Sequence, residues 1–173
     1  QSEGSMRAAT LGLIAALAHL LAAPAWAEPP PDYERGALYV ALESSYVRGI
    51  DGRVDNEWAF RGRIGLKFMK FFGIEFQYEG YGTISGPAMP INLKLYLPMG
   101  RIQPWLVGGG GPWQVRNPSG SHTWGGQVVG GGGVDIYITE NWAAVVSSEY
   151  QHGTGAVRAN NLVTAGAGVM YRF

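Results

Sequence analysis

Over residues 58–68 the chain alternates without interruption. Trp58, Phe60, Gly62, Ile64, Leu66 and Phe68 fall on one side of an extended strand, and Ala59, Arg61, Arg63, Gly65 and Lys67 fall on the other. A period of two sustained this long belongs to a strand, since the apolar positions of a helix recur every three or four residues. The pattern also constrains the surroundings. One face has to meet something apolar, and the other sets three cations side by side, which need water or counter-charges.

The same division recurs along the chain. Residues 37–46 set Leu38, Val40, Leu42 and Tyr46 against Ala37, Tyr39, Ala41, Glu43 and Ser45, and residues 72–79 set Phe72, Ile74, Phe76 and Tyr78 against Glu75, Gln77 and Glu79. In residues 91–97, Ile91, Leu93, Leu95 and Leu97 oppose Asn92, Lys94 and Tyr96. In residues 142–150, Trp142, Ala144, Val146 and Tyr150 oppose Val145, Ser147 and Glu149. Residues 162–173 put Val163, Ala165, Ala167, Val169, Tyr171 and Phe173 on a wholly apolar face, with Thr164, Gly166, Gly168, Met170 and Arg172 behind it. Residues 103–113 and 123–137 read as two further strands, rich in glycine. Glycine weakens an isolated strand, but in a small barrel it permits sharp coiling and leaves room beside large inward side chains.

Eight strands follow, all-β and antiparallel, in up-and-down order. Turns of three to five residues come after the second, fourth and sixth, and longer loops (47–57, 81–90, 114–122 and 151–161) come after the others. Strands of about 9–11 residues, at ~3.3 Å rise and tilted ~45°, cross about 25 Å, the apolar height of a membrane barrel. Alternation does not by itself separate inside from outside. Turned inward, the apolar face makes a soluble, lipocalin-like carrier; turned outward, it makes a transmembrane barrel.

Composition favours the membrane. Only 15% of residues are charged, against about 25% in ordinary soluble domains, which is too little to cover a polar exterior. The aromatics also gather toward strand ends, with Trp58, Tyr78, Trp113, Trp124 and Tyr150 at one level and Phe68, Phe72, Trp105, Trp142 and Phe173 at the other, as two girdles. The 13 basic and 13 acidic residues leave no excess charge for nucleic acid, and the lack of cysteine excludes a disulfide framework or a thiolate metal site.

The N-terminus supplies an address. From Met6, MRAATLGLIAALAHLLAAPAWA carries one basic residue, an apolar run over 11–23 and a small-residue cleavage site at Ala25-Trp26-Ala27, the form of a secretory signal peptide. His19 and Pro24 break the run short of the ~20 residues a helical span requires. Residues 1–27 are therefore read as upstream residues plus signal peptide, 28–35 as an extended, poorly ordered Pro-rich lead-in, and 36–173 as the barrel. Export and an even strand number predict an outer-membrane location in a Gram-negative cell, with both termini periplasmic.

From Gly36 onward the chain resembles the small outer-membrane β-barrels of the OmpA/OmpX-like superfamily. The resemblance is carried by Pro104-Trp105 before a glycine run, Gly131-Gly132-Gly133-Val134-Asp135 before a turn ending Asn141-Trp142, Ser148-Glu149-Tyr150, and Gly166-Ala167-Gly168-Val169-Met170-Tyr171-Arg172-Phe173. It implies an eight-stranded fold and, through Tyr171 and Phe173 in the last strand, an assembly signal read by the barrel assembly machinery. No peptidoglycan-binding domain follows Phe173, so a cell-wall tether of that type is not expected. The motifs are specific for architecture and carry little about function.

Chemistry is sought first on the polar face, where Glu43, Arg61, Arg63, Lys67, Glu75, Glu79, Lys94, Glu149 and Arg172 collect. An eight-stranded barrel is just wide enough for side chains to fill it, so these charges are expected to pair across the lumen. The pairs form either a plug, which is the favoured reading, or the walls of a narrow pore. An acyl-hydrolase reading rests on His152-Gly153-Thr154-Gly155 near Glu149, which departs from the His-x-Ser-Asn motif of the lipid A 3-O-deacylases in both nucleophile and Asn, and on the loose pair Ser121 and His122. Neither makes a convincing nucleophile and base. No metal-ligand spacing or phosphate loop occurs, so neither a metal nor a cofactor is expected. Arg48, Arg53, Arg116 and Arg158 in the long loops suit lipopolysaccharide phosphates. The expected protein is a monomeric, non-enzymatic outer-membrane barrel with a structural, surface-interaction or small-pore role, surrounded by membrane lipid and lipopolysaccharide.

Overall fold

The computed structural model describes residues 32–50, 56–81, 85–116 and 120–173. The signal peptide, residues 28–31 of the lead-in and Arg53 lie outside them. The strands are β1 (Ala37–Gly49), β2 (Glu57–Lys67), β3 (Phe72–Tyr81), β4 (Ser85–Ala88), β5 (Ile91–Tyr96), β6 (Ile102–Arg116), β7 (His122–Tyr137), β8 (Trp142–Thr154) and β9 (Asn161–Arg172). β4 and β5 share one position between β3 and β6, so nine strands make eight staves. The break falls at Met89 and Pro90. Proline has no amide hydrogen to give a ladder, yet the Pro90 carbonyl still accepts from the Gln77 amide at 3.0 Å.

Every stave pairs antiparallel with its neighbours, and β9 pairs with β1 to close the ring. Closure leaves no strand edge unpaired, the condition a sheet must meet to cross a bilayer. At one end lie the short turns at 68–71, 97–101 and 138–141 together with the chain terminus; we call this the terminal end. The opposite strand ends, including Gly49, Tyr81, Arg116 and Thr154, lie at the other, the loop end. Gly100, at a φ of 67°, permits the tight turn between β5 and β6.

The parity read from sequence holds in β1, β2, β3, β5, β8 and β9. Leu42, Ile64, Leu93, Leu106 and Val146 point outward and are exposed, while Glu43, Arg61, Arg63, Glu75 and Glu149 point inward and are buried. The interior is polar, which rules out the apolar-inside arrangement of a lipocalin-like carrier. Two inward glycines do what coiling alone would not require. A Cβ at Gly65 would collide with the ring of Tyr39, and one at Gly133 with the ring of Trp105.

Two expectations are corrected. Much of the four long loops is strand: β8 runs on to Thr154, β6 to Arg116, β7 starts at His122, and β4 lies within 81–90. Pairing continues past the aromatic levels because it satisfies backbone groups there too, although the outward residues cease to be apolar. The end of the lead-in is also not loosely extended, for Tyr33 is buried against the terminal end.

Ile64 lies midway between Trp58 and Phe68 on the outward face. Ile64→Arg is predicted to cost about 2–4 kcal/mol of folding stability in phospholipid vesicles, read by urea titration. An exposed residue in water would change stability by only about 0.5 kcal/mol.

Candidate functional site

The inward face builds three storeys. In the middle, register sets opposite charges directly across the sheet: Glu43 opposes Arg61 on β2, and Arg61 opposes Glu79 on β3. Arg61 Nη2 lies 2.9 Å from Glu79 Oε1, while its Nη1 lies 3.5 Å from Glu149 and 3.7 Å from Glu43. It also donates to Ser147 Oγ at 3.1 Å and to Thr164 Oγ1. Arg63 donates to Glu149 Oε1 at 2.6 Å and approaches Glu75 at 3.6 Å. Its Nη1 stands 3.0 Å from Glu43 Oε1, a charge contact without hydrogen-bond alignment. Lys94 Nζ meets Glu75 Oε2 at 3.3 Å and sits 3.9 Å above the Trp105 ring.

Neutral groups complete this layer. Tyr39 donates to Glu75 at 2.8 Å, Gln77 to Glu149 at 3.2 Å, and Ser147 to Glu43 at 2.6 Å. Tyr81 donates to Gln151 Oε1 at 2.7 Å and Gln151 donates to Glu79. Asp135 accepts from Trp105 Nε1 at 2.8 Å. Among the described residues five buried acids (Glu43, Glu75, Glu79, Asp135, Glu149) face five buried bases (Arg61, Arg63, Lys67, Lys94, Arg172), so the lumen carries no net charge.

Above and below the charges, buried side chains pack into two clusters. Toward the loop end Val47, Ala59, Tyr81, Ala88, Trp113, Val115, Val157 and Leu162 form one cluster. Toward the terminal end Tyr39, Tyr96, Trp105, Tyr137, Met170 and Tyr33 belong to another. Tyr33 latches this mouth. Its carbonyl accepts from Gln103 Nε2 and Arg172 Nη1, each at 2.7 Å; its hydroxyl accepts from Arg101 Nε at 2.9 Å; and its ring lies 5.4 Å from that of Tyr137.

Seven of the nine residues expected in an ion-pair network form one. Lys67 and Arg172 are buried in the lumen as expected, but they do not pair with carboxylates. Lys67 donates to Gln103 Oε1 at 2.8 Å, and Arg172 to the carbonyls of Tyr33, Asp32 and Glu140. Both lie at the terminal end, below the carboxylates. The girdles need a correction too. Trp58, Tyr78, Trp124 and Tyr150 face outward at the loop end, as do Phe68, Phe72, Trp142 and Phe173 at the terminal end, but Trp105 and Trp113 point inward and are buried. They share parity with Gln103 and Val115 on β6, a parity that the intervening glycines hide. The same masking conceals Asp135 beyond the four glycines of β7. Tyr171, half-buried, lies edge-on to Trp142 and Phe173, each 5.0 Å away.

The loop-end histidines do not assemble a catalytic group. His152 Nδ1 meets Asn161 Oδ1, and Thr154, two residues on along an extended strand, is displaced by about 6.6 Å. His122 is exposed opposite Arg116, and Arg158 is exposed beyond the turn Gly155–Val157. No cluster of metal ligands occurs among the described residues.

No family model and no curated protein sequence matches the chain. Solved structures do. The N-terminal β-barrel domain of Pseudomonas aeruginosa OprF matches with a TM-score of 0.65 at 20% identity, over 80% of this chain and 100% of that one. Neisserial surface protein A matches at 0.61 and 14% identity, over 81% and 100%. A de novo designed transmembrane β-barrel matches at 0.52 and 13%, over 84% and 98%. The chain thus has the fold of the small eight-stranded outer-membrane barrels.

Arg61→Met leaves Glu79 without a cation, leaves Glu43 and Glu149 with Arg63 alone, and is predicted to destabilise the barrel by about 3–5 kcal/mol in urea titration. Adding Glu79→Gln removes one stranded charge, and the double variant should be more stable than Arg61→Met alone.

Proposed function

We propose that this chain is an outer-membrane barrel that acts without catalysis, its lumen closed by its own ion pairs and its work done on its outer surfaces. The observation that carries the reading is an ionic layer, in which Arg61, Arg63 and Lys94 meet Glu43, Glu75, Glu79 and Glu149, between two packed clusters, with Tyr33 across one mouth. A solute path would need continuous water, whereas each arginine of the middle layer touches three carboxylates. Buried pairs of this kind hold strongly because separating them leaves a charge uncompensated.

In this reading the apolar exterior lies in the outer membrane and the loop end faces outward, while the short turns and both termini lie in the periplasm after signal-peptide removal. The strand ending in Tyr171 and Phe173 serves recognition by the assembly machinery. With the lumen filled, the remaining roles are reinforcement of the membrane and contact with molecules at the cell surface. The hydrolase alternative has no observation in its favour, because His152 engages an amide and not a carboxylate.

Reconstitution in planar bilayers tests the closed lumen. The wild-type protein is expected to give no steady single-channel steps in molar potassium chloride. Regular steps that disappear in Arg61→Met would overturn the plug and make the ionic layer the wall of a pore.

A further inference from the structure

At the loop end, β1, β9 and β8 lie side by side, and their outward residues make a surface of mixed character. Arg48 on β1 is opposite Val163 on β9, which is opposite Tyr150 on β8; one step further out, Asn161 is opposite His152. His152 Nδ1 meets Asn161 Oδ1, and the Tyr150 hydroxyl approaches the same oxygen at 3.4 Å. With Nδ1 held there, Nε2 is the imidazole atom left to meet a ligand. Arg48 is exposed and makes no ion pair among the described residues, and residues 46–50 and 150–163 contain no Asp or Glu. Arg158, on the β8–β9 connection, adds another exposed cation.

Immediately below, toward the middle of the barrel, the side chains become small. Ser44 is opposite Ala167, and Tyr46 is opposite Ala165, which in turn is opposite Ser148. Ser44, Ala165, Ala167 and Ser148 are all exposed. They floor a trough between Tyr46, itself edge-on to Trp58 at 5.6 Å, and Tyr150. Aromatic residues of this kind sit at headgroup level.

We propose that this rim is a binding site for a phosphorylated glycolipid of the outer leaflet. Arg48 and His152 clamp a phosphate, and an acyl chain lies in the small-residue trough along β9. Arginine suits the phosphate as a forked donor. His152 presents Nε2 toward it, because Nδ1 is engaged by Asn161 Oδ1. The acyl trough distinguishes the lipid from free phosphate. The inference rests on the outer-membrane reading and the orientation proposed above.

The test is native mass spectrometry of the full barrel released from detergent micelles loaded with bisphosphorylated lipid A. A boiled and unboiled gel of each variant verifies folding. Wild type is expected to retain one lipid A, and Arg48→Gln/His152→Gln to retain it about tenfold more weakly. Lys70→Gln, an exposed cation at the terminal end, should bind as wild type does. Dephosphorylated lipid A should bind poorly, and millimolar inorganic phosphate should not displace the lipid. Equal retention by the double variant, equal loss in Lys70→Gln, equal binding of the dephosphorylated lipid or full displacement by phosphate would each overturn the site. Those results come from protein that shifts on boiling. A wild type that shows no shift would overturn the membrane-barrel reading, and the site with it.

Discussion

An arginine inside a tube this narrow has no route to bulk water, and the structure is arranged around that constraint. Arg61 and Arg63 enter on the same face of β2, and β1, β3 and β8 each bring carboxylates to them. Those four strands are therefore tied across the barrel as well as around it. The register of each ladder is held from both directions, because a slip of one residue would turn these charges toward the outer face and the aliphatic side chains toward the lumen. Charge balance and strand register are one requirement here.

The exterior follows from the same alternation. Placing every charge of the spanning segments inside leaves Leu, Ile, Val and Phe outside, and only a hydrocarbon solvent makes that arrangement favourable. The glycines reconcile the two faces. At Gly65 and Gly133 they make room for Tyr39 and Trp105, large side chains that fill the lumen beside the ion pairs. On the function proposed above, a filled lumen leaves the rim and the lipid-facing surface as the places where this protein meets other molecules.

Much of this was legible in the sequence, and the failures have physical causes. Where side chains alternate, as from Trp58 to Phe68, parity gave each residue's face correctly, and seven charged residues read from sequence do meet in the lumen. Glycine carries no parity signal, so Trp105, Trp113 and Asp135, set beside glycine runs, were misplaced or missed. Girdle aromatics were assigned by height along the strand, which does not separate in from out. Lys67 and Arg172 were right in direction but wrong in partner, since sequence does not reveal that Gln103 and the carbonyls of Tyr33 and Asp32 occupy their level. The latch at Tyr33 was hidden because proline-rich composition suggests loose chain, and its anchoring depends on groups as distant as Gln103 and Arg172.

The central claim is that the charges are inside and the apolar face meets lipid. Electrophoresis of protein recovered from the outer-membrane fraction, boiled and unboiled in detergent, tests it most directly. A barrel closed by β1 and β9 and locked by buried ion pairs resists the detergent, so the unboiled sample should migrate at a different apparent mass from the boiled one. Identical migration, with the protein recovered from the soluble periplasmic fraction, would contradict the account.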